Sequence, residues 1–195
     1  MNARLRVCVY CGSRAGSNPA FLRGAQEVGH AIGRRGWQLV YGGGRVGLMG
    51  ALADAALAAG APVEGVIPQS LMQREVGHAH LTRLRVVDTM HERKRLMAEH
   101  TDAFIALPGG IGTFEELFEV WSWRHLGYHE RPIGLLDTDG YFQPLLAMVR
   151  QAQQTGFVTS EQLAMVTLHA SPDVLLDRIA ALARRDVPAE DLRRI

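Results

Sequence analysis

The sequence predicts an α/β fold, a doubly wound parallel sheet with helices on both faces, and three observations predict it. Apolar runs of strand length alternate with stretches of helical periodicity almost without interruption. Glycine-bearing turns follow the first, second and central strands, and the carboxyl ends of strands are where such a sheet carries function. No internal repeat, low-complexity segment or linker divides the 195 residues, a length that suits one domain with a real core.

Taken in order, residues 5–10 read as the first strand, ending at Cys11, Gly12 and Ser13. A helix over 19–35 follows, opened by Pro19, which a first turn tolerates because its missing N–H would have had no partner there. Residues 37–41 are the second strand and run into YGGGRVGLMG; a helix over 48–59 then ends at Gly60 as a C-cap. The third strand is 62–67. A Pro-bounded loop over 68–82 leads to a strand at 83–87 and a helix at 90–100. The central strand, 103–107, is followed by a helix over 114–125, a strand at 133–136 and a helix at 141–155. A short strand at 165–168 and a helix at 172–183 complete the order, and 184–195 is a charged tail.

Composition narrows the function classes. The formal charge is +1, with no basic run beyond Arg93, Lys94 and Arg95, so nucleic acid and membrane surfaces are not expected partners. There is no 18-residue apolar stretch, and Met1 to Arg4 leaves no room for a signal peptide before the first strand; a cytoplasmic protein is expected. Cys8 and Cys11 form C-x-x-C, but no second pair exists and Cys8 falls mid-strand, so both read as buried structural cysteines.

The chain is organised around LPGGIGTFEE, residues 107–116. Three glycines in four positions, Gly109, Gly110 and Gly112, let a ligand approach the backbone. Thr113 offers an N-cap hydroxyl, and the first helical N–H groups point back into the turn without partners. A phosphate is what such a turn holds best. Thr113 and Glu116 are also spaced as T-x-x-E, a capping box, so the plain reading of Glu116 is a helix cap and the functional one is a carboxylate beside the bound anion.

Two familiar glycine motifs fit poorly. Gly42, Gly44 and Gly47 satisfy G-x-G-x-x-G with Glu64 about 20 residues on, but the match follows the second strand and Glu64 sits inside its strand. No glycine turn is followed by Gly-Lys-Ser/Thr, which argues against a P-loop. On the helix before the central strand, Arg93 shares a face with Met90, Leu96 and Met97. A guanidinium on such a face needs an anionic partner, either an internal carboxylate or a ligand at the glycine edge.

MHERK at 90–94, followed by PGGIGTFEE, resembles the paired signature of the LOG family, the cytokinin-activating phosphoribohydrolases. CGS at 11–13, YGGGRVGLMG, IPQSLMQRE at 67–75, DAFIALPGG and the run 134–141 resemble it too, so the likeness covers roughly residues 5–170. The resemblance implies a Rossmann-like fold, a homodimer, no cofactor, and cleavage of the N-glycosidic bond of nucleoside 5′-monophosphates, notably N6-modified adenosine monophosphates but also AMP. By position it implies Arg93 and Glu116 as catalytic. It implies substrate binding by Glu75, Arg93, Lys94, Gly110, Ile111, Gly112, Thr113, Phe114, Glu115, Glu116 and Ser122, with a serine at 122 where threonine is more usual.

The chemistry agrees with these residues. Cleaving a ribosyl–base bond passes through an oxocarbenium-like sugar, which Glu116 could stabilise while it orients or deprotonates water. An arginine does not act as a general acid, so Arg93 positions Glu116, binds substrate and balances charge. The family resembled here was long labelled lysine decarboxylases, a chemistry that needs a Schiff-base lysine, and Lys94, between two arginines, is the chain's only lysine. His78, His80 and His91 fall short of a zinc set and read as surface or loop histidines; no metal is expected. The rival class is a non-catalytic carrier of the same fold, such as a molybdenum-cofactor carrier. Trp121 and Trp123 are two apart, so one should serve the core while the other reaches outward with Leu126 toward a dimer contact.

Overall fold

The computed structural model describes residues 4–72 and 77–183. Seven strands, all parallel, form one sheet: β1 (Arg6–Tyr10), β2 (Gln38–Tyr41), β3 (Val63–Pro68), β4 (Arg83–Val87), β5 (Ala103–Ala106), β6 (Ile133–Leu136) and β7 (Val166–His169). Their order is β4-β3-β2-β1-β5-β6-β7. The chain winds outward from β1 to one edge, then returns and winds to the other, so the strand order reverses beside β1. In a sheet of this kind the crevice at that reversal is where ligands bind.

Alternation along β1 assigns the two faces. Val7, Val9 and Cys11 pack with α1 (Pro19–Arg34), α2 (Gly47–Ala58) and α7 (Pro172–Ala183). Cys8 and Tyr10 pack with α3 (Met90–Glu99), α4 (Ile111–His125) and α5 (Gln143–Gln154). Burial of apolar surface on both sides is therefore what the alternation of short strands and helices achieves. Cys8 and Cys11 are both buried outside any disulfide, and they face opposite layers, which supports their reading as structural residues.

Several expectations are corrected. The helix expected over 114–125 begins three residues earlier, at Ile111, and its N-cap is Gly110 with no side-chain cap bond. Thr113 is therefore the third helical residue, not the cap, and the Thr113/Glu116 spacing is not a capping box. A true capping box opens α6 (Ser160–Ala164), unanticipated in the sequence, where Thr159 and Gln162 bond reciprocally. Trp121 and Trp123 are both buried; the Trp121 indole donates to the Gln162 carbonyl at 2.9 Å, so α6 covers the side of α4 expected to face outward. The large apolar residues that α4 and its C-cap expose are Ile111, Phe118 and Leu126. His78, read as a surface histidine, is 2% exposed, with Nε2 2.9 Å from Asp54 Oδ1. Glu75 and the tail 184–195 lie outside the described residues.

Glu64, near the amino end of β3, sits at the end of the sheet opposite the glycine turns. Its carboxylate accepts from Arg85 Nε, lies 2.9 Å from His100 Nδ1 and accepts from Gln38 at 3.3 Å. It is thus occupied and is no ribose ligand. Burial alone would raise the Glu64 pKa, but the Arg85 and His100 hydrogen bonds outweigh it and hold the group below the ordinary glutamate value. A depressed carboxylate stabilises the fold above its unfolded pKa, and that stabilisation fades as pH falls through the folded value. Glu64→Gln should cost about 1–3 kcal/mol at pH 7. It should also flatten the loss of stability below about pH 4.3, the unfolded glutamate range; urea unfolding at pH 7 and pH 3 checks both.

Candidate active site

The β1–β5 pairing sets Val9 beside Ile105 and Tyr10 beside Ala106, so the turns that follow leave the sheet together. The Gly12 N–H donates to the Pro108 carbonyl at 3.1 Å, and the Leu48 N–H to the Gly12 carbonyl at 3.0 Å. The three glycine turns after β1, β2 and β5 are thereby stitched into one rim, around a cleft of about 520 Å³. Gly109 is required there by close approach. A Cβ on it would lie 2.1 Å from the Thr113 hydroxyl and 2.8 Å from the Gly12 nitrogen, so any side chain would push α4 away from the β1 turn.

Because α4 begins at Ile111, the N–H groups of Ile111, Gly112 and Thr113 have no intrahelical acceptor, and all three residues line the cleft with Gly110. An N-terminus so placed favours an anion through both its donors and its dipole. Thr113 is 3% exposed, while Ile111 stands out at 82%.

Arg93 enters from α3, whose start is fixed by the Thr89 side chain accepting from the Glu92 N–H at 3.1 Å. The guanidinium is 5% exposed and lies at the cleft floor. Nη2 is 3.7 Å from Glu116 Oε1 and 3.5 Å from the Gly42 carbonyl; Nη1 meets Met90 Sδ at 3.7 Å. Nε is buried and has no hydrogen-bond partner among the described residues. Both readings of this arginine therefore hold: it has an internal carboxylate, but only a long contact, and it keeps donor capacity for oxygen atoms of a ligand. Gly42 makes the arrangement possible, since a Cβ there would lie 2.0 Å from Nη2. Glu116, 9% exposed, projects into the same cleft from the second turn of α4.

The remaining expected site residues divide. Glu115 stands half-exposed at the rim, where Lys94 Nζ approaches it at 2.6 Å and Glu119 at 2.8 Å. Lys94 does not line the cleft. Burial opposes its charge, but the two carboxylates outweigh that and raise its pKa above the ordinary lysine value. Phe114 lies behind the wall, stacked on Tyr141 with ring centroids 6.3 Å apart. Ser122 is exposed farther along α4, in a separate groove with Phe118, Trp121 and Met148.

Sequence reasoning missed much of the lining. Tyr10, Phe21 and Tyr141 contribute rings, and Met49, Met90 and Met97 form a soft apolar side. Burial pushes the Tyr10 phenol well above its ordinary pKa, and nearby Cys8 and Glu116 act in the same direction, so Tyr10 is a neutral donor. A strand-end position was the one signal available for Tyr10; Tyr141 had only its place at the end of the run 134–141. Gly42→Ala should turn Arg93 out of the cleft and weaken binding of a nucleoside monophosphate by about ten- to a hundredfold, the size of a lost hydrogen bond to a charged group. Calorimetry with the variant checks this.

Comparisons with known proteins follow the same geometry. A family model described as "Possible lysine decarboxylase" matches residues 49–179. The cytokinin riboside 5′-monophosphate phosphoribohydrolase of Rhodococcoides fascians is 52% identical over 154 residues, 78% of each chain. One from Arabidopsis thaliana is 47% identical over 154 residues, 79% of this chain and 72% of the relative. Among solved structures, the molybdenum cofactor carrier protein of Chlamydomonas reinhardtii superposes with a TM-score of 0.71 over 92% of this chain and 98% of its own, at 19% identity, a likeness of fold alone. The family model's description does not suit Lys94: a Schiff-base lysine must lose its proton to attack, and two carboxylates hold this one charged. The match over two thirds of the chain and the identities near one half show that this protein belongs to the LOG family, alongside the cytokinin riboside 5′-monophosphate phosphoribohydrolases.

Proposed function

We propose that the protein is a hydrolase that cleaves the N-glycosidic bond of adenosine 5′-monophosphates, those with an N6 substituent above all, to free base and ribose 5-phosphate. The observation that carries this is the Arg93–Glu116 pair, buried 3.7 Å apart beside an unsatisfied helix N-terminus. The N-terminus of α4 holds the 5′-phosphate, and that remote binding energy fixes C1′ over Glu116. The C1′–N bond breaks with its electron pair leaving on the base, which takes a proton from solvent, to which Glu116 later returns the one it accepts from water. Water adds to C1′ and gives its proton to Glu116, whose charge also stabilises the oxocarbenium-like sugar. Arg93 holds Glu116 in place and donates to substrate oxygens through its spare N–H groups. The methionine side of the cleft suits an apolar N6 substituent. The relatives' names support the same substrate class.

The test is release of free base from isopentenyladenosine monophosphate and AMP against the matching nucleosides. Monophosphates should be cleaved with kcat/KM at least about a hundredfold higher, because the nucleosides leave the anion site empty. Glu116→Gln keeps the side-chain shape but removes the charge that faces buried Arg93, so it should stay folded with a lowered melting temperature, still bind nucleotide, and lose turnover by about 10² or more. Equal cleavage of AMP and adenosine, or a near-normal Gln variant, overturns the reading. No cofactor takes part, so turnover should be unchanged in EDTA.

The protein acts in the cytoplasm as a homodimer of one nucleotide-binding unit per chain, with α4 near the contact. What supports this is the groove that holds Ser122 and exposes Phe118 at 38% and Met148 at 59%, beside Leu126 at 59%. Light scattering at micromolar concentration should give twice the chain mass, and Phe118→Glu should give the monomer.

A further inference from the structure

Tyr141 reaches the cleft by a route unrelated to the glycine motifs. Beyond β6, buried Asp137 accepts from the Phe142 N–H at 2.8 Å and from the Gln143 side chain, and Asp139 and Gly140 both take positive φ, 51° and 74°. This tight turn folds over the end of the sheet and delivers Tyr141 between Phe21, edge-on at 5.4 Å, and Phe114, stacked at 6.3 Å. Phe21, Phe114 and the neighbouring Phe142 thus hold the Tyr141 ring, and its hydroxyl donates to the Gly109 carbonyl.

That acceptor is a peculiar one. The Gly109–Gly110 peptide is flanked by glycines on both sides, so no Cβ opposes rotation of its plane. The peptide is trans, so its N–H points opposite to its C=O. Holding the Gly109 carbonyl therefore aims the Gly110 N–H, and with it the first turn of α4, of which Gly110 is the N-cap.

We propose that Tyr141 is a positioning residue for the phosphate ester of the substrate: its hydroxyl locks the Gly109–Gly110 peptide against flipping, and so keeps the N-terminal donors of α4 set for a ribose 5-phosphate group. This rests on the hydrolase reading for the identity of the ligand, but not for the lock itself. Phosphate recognition is then shared between a glycine turn, which supplies donors, and a distant tyrosine, which fixes their direction. Glycines give the close approach at the expense of rigidity, and Tyr141 restores the rigidity.

The test is Tyr141→Phe, which keeps the three ring contacts and removes the hydroxyl alone. Ribose 5-phosphate binding by calorimetry should weaken about three- to tenfold, the scale of one neutral hydrogen bond. KM for AMP should rise by the same factor with kcat changed less than about twofold, while the slow cleavage of adenosine is not shifted. Unchanged ribose 5-phosphate affinity overturns the proposal, as does an equal effect on AMP and adenosine, which would make Tyr141 a mere part of the wall. A native protein that binds ribose 5-phosphate but cleaves no monophosphate overturns the hydrolase reading and leaves the lock standing if Tyr141→Phe still weakens binding. A native protein that binds no ribose 5-phosphate overturns both.

Discussion

The pairing of β1 with β5 is the constraint on which the site depends. These strands are over 90 residues apart in the chain, yet their register sets Tyr10 level with Ala106 and lets the backbone of Gly12 bond that of Pro108. Two turns that could each be bland connections become facing walls. A parallel sheet with its order reversing beside β1 cannot close that crevice with a neighbouring crossover helix, because the helices on either side leave in opposite directions. The cleft is thus a consequence of topology, and the glycines decide how close its walls may come.

Within the cleft, the buried guanidinium of Arg93 is the energetic oddity. Removing such an ion from water costs several kcal/mol, which is repaid only with excellent geometry and full hydrogen bonding. Here the ion pair is long, one contact is a thioether, and Nε has no partner among the described residues. A purely structural arginine would be poorly served by this arrangement. A ligand rich in oxygen atoms would complete it, so the incomplete solvation of Arg93 favours a binding role over a stabilising one. Gly42, whose missing side chain leaves the space for Nη2, belongs to the same device.

Much of this was legible in the sequence, and the failures have physical reasons. The bounds of β4 (RLRVV) and β6 (IGLL) match their reading, since each lies between turn residues that leave little freedom. The start of α4 was misplaced because Gly-Ile-Gly reads as turn by propensity. In a first helical turn, however, the N–H groups have no partner to lose, and the penalty for glycine is set by what its absent side chain permits. Helix α6 is one turn long, too short for periodicity, although Thr159 and Gln162 carried its capping signal. The spacing on α3 set Arg93 on the apolar face, where it is buried, but no spacing could say that Lys94 would meet Glu115 and Glu119 from another helix. Tyr141 read only as a helix start at the end of the run 134–141, because its role arises from a tertiary crossing.

The corrected register of α4 sorts three neighbouring carboxylates. Counting from Ile111, residues four apart share a side of the helix, so Ile111, Glu115 and Glu119 line the outer rim, where Lys94 bridges the two acids. Glu116 falls with Gly112 and Thr113, one turn below the free N–H groups and facing Arg93. Had the helix begun at Phe114, Glu116 would lie in the first turn, where its carboxylate could be consumed by backbone donors. Three extra residues of helix, opened by a Gly110 cap that offers no side chain of its own, leave the first-turn donors for a ligand and carry Glu116 beyond their reach. The same ten residues thereby supply an anion site and, a turn away, a carboxylate that the anion site does not neutralise.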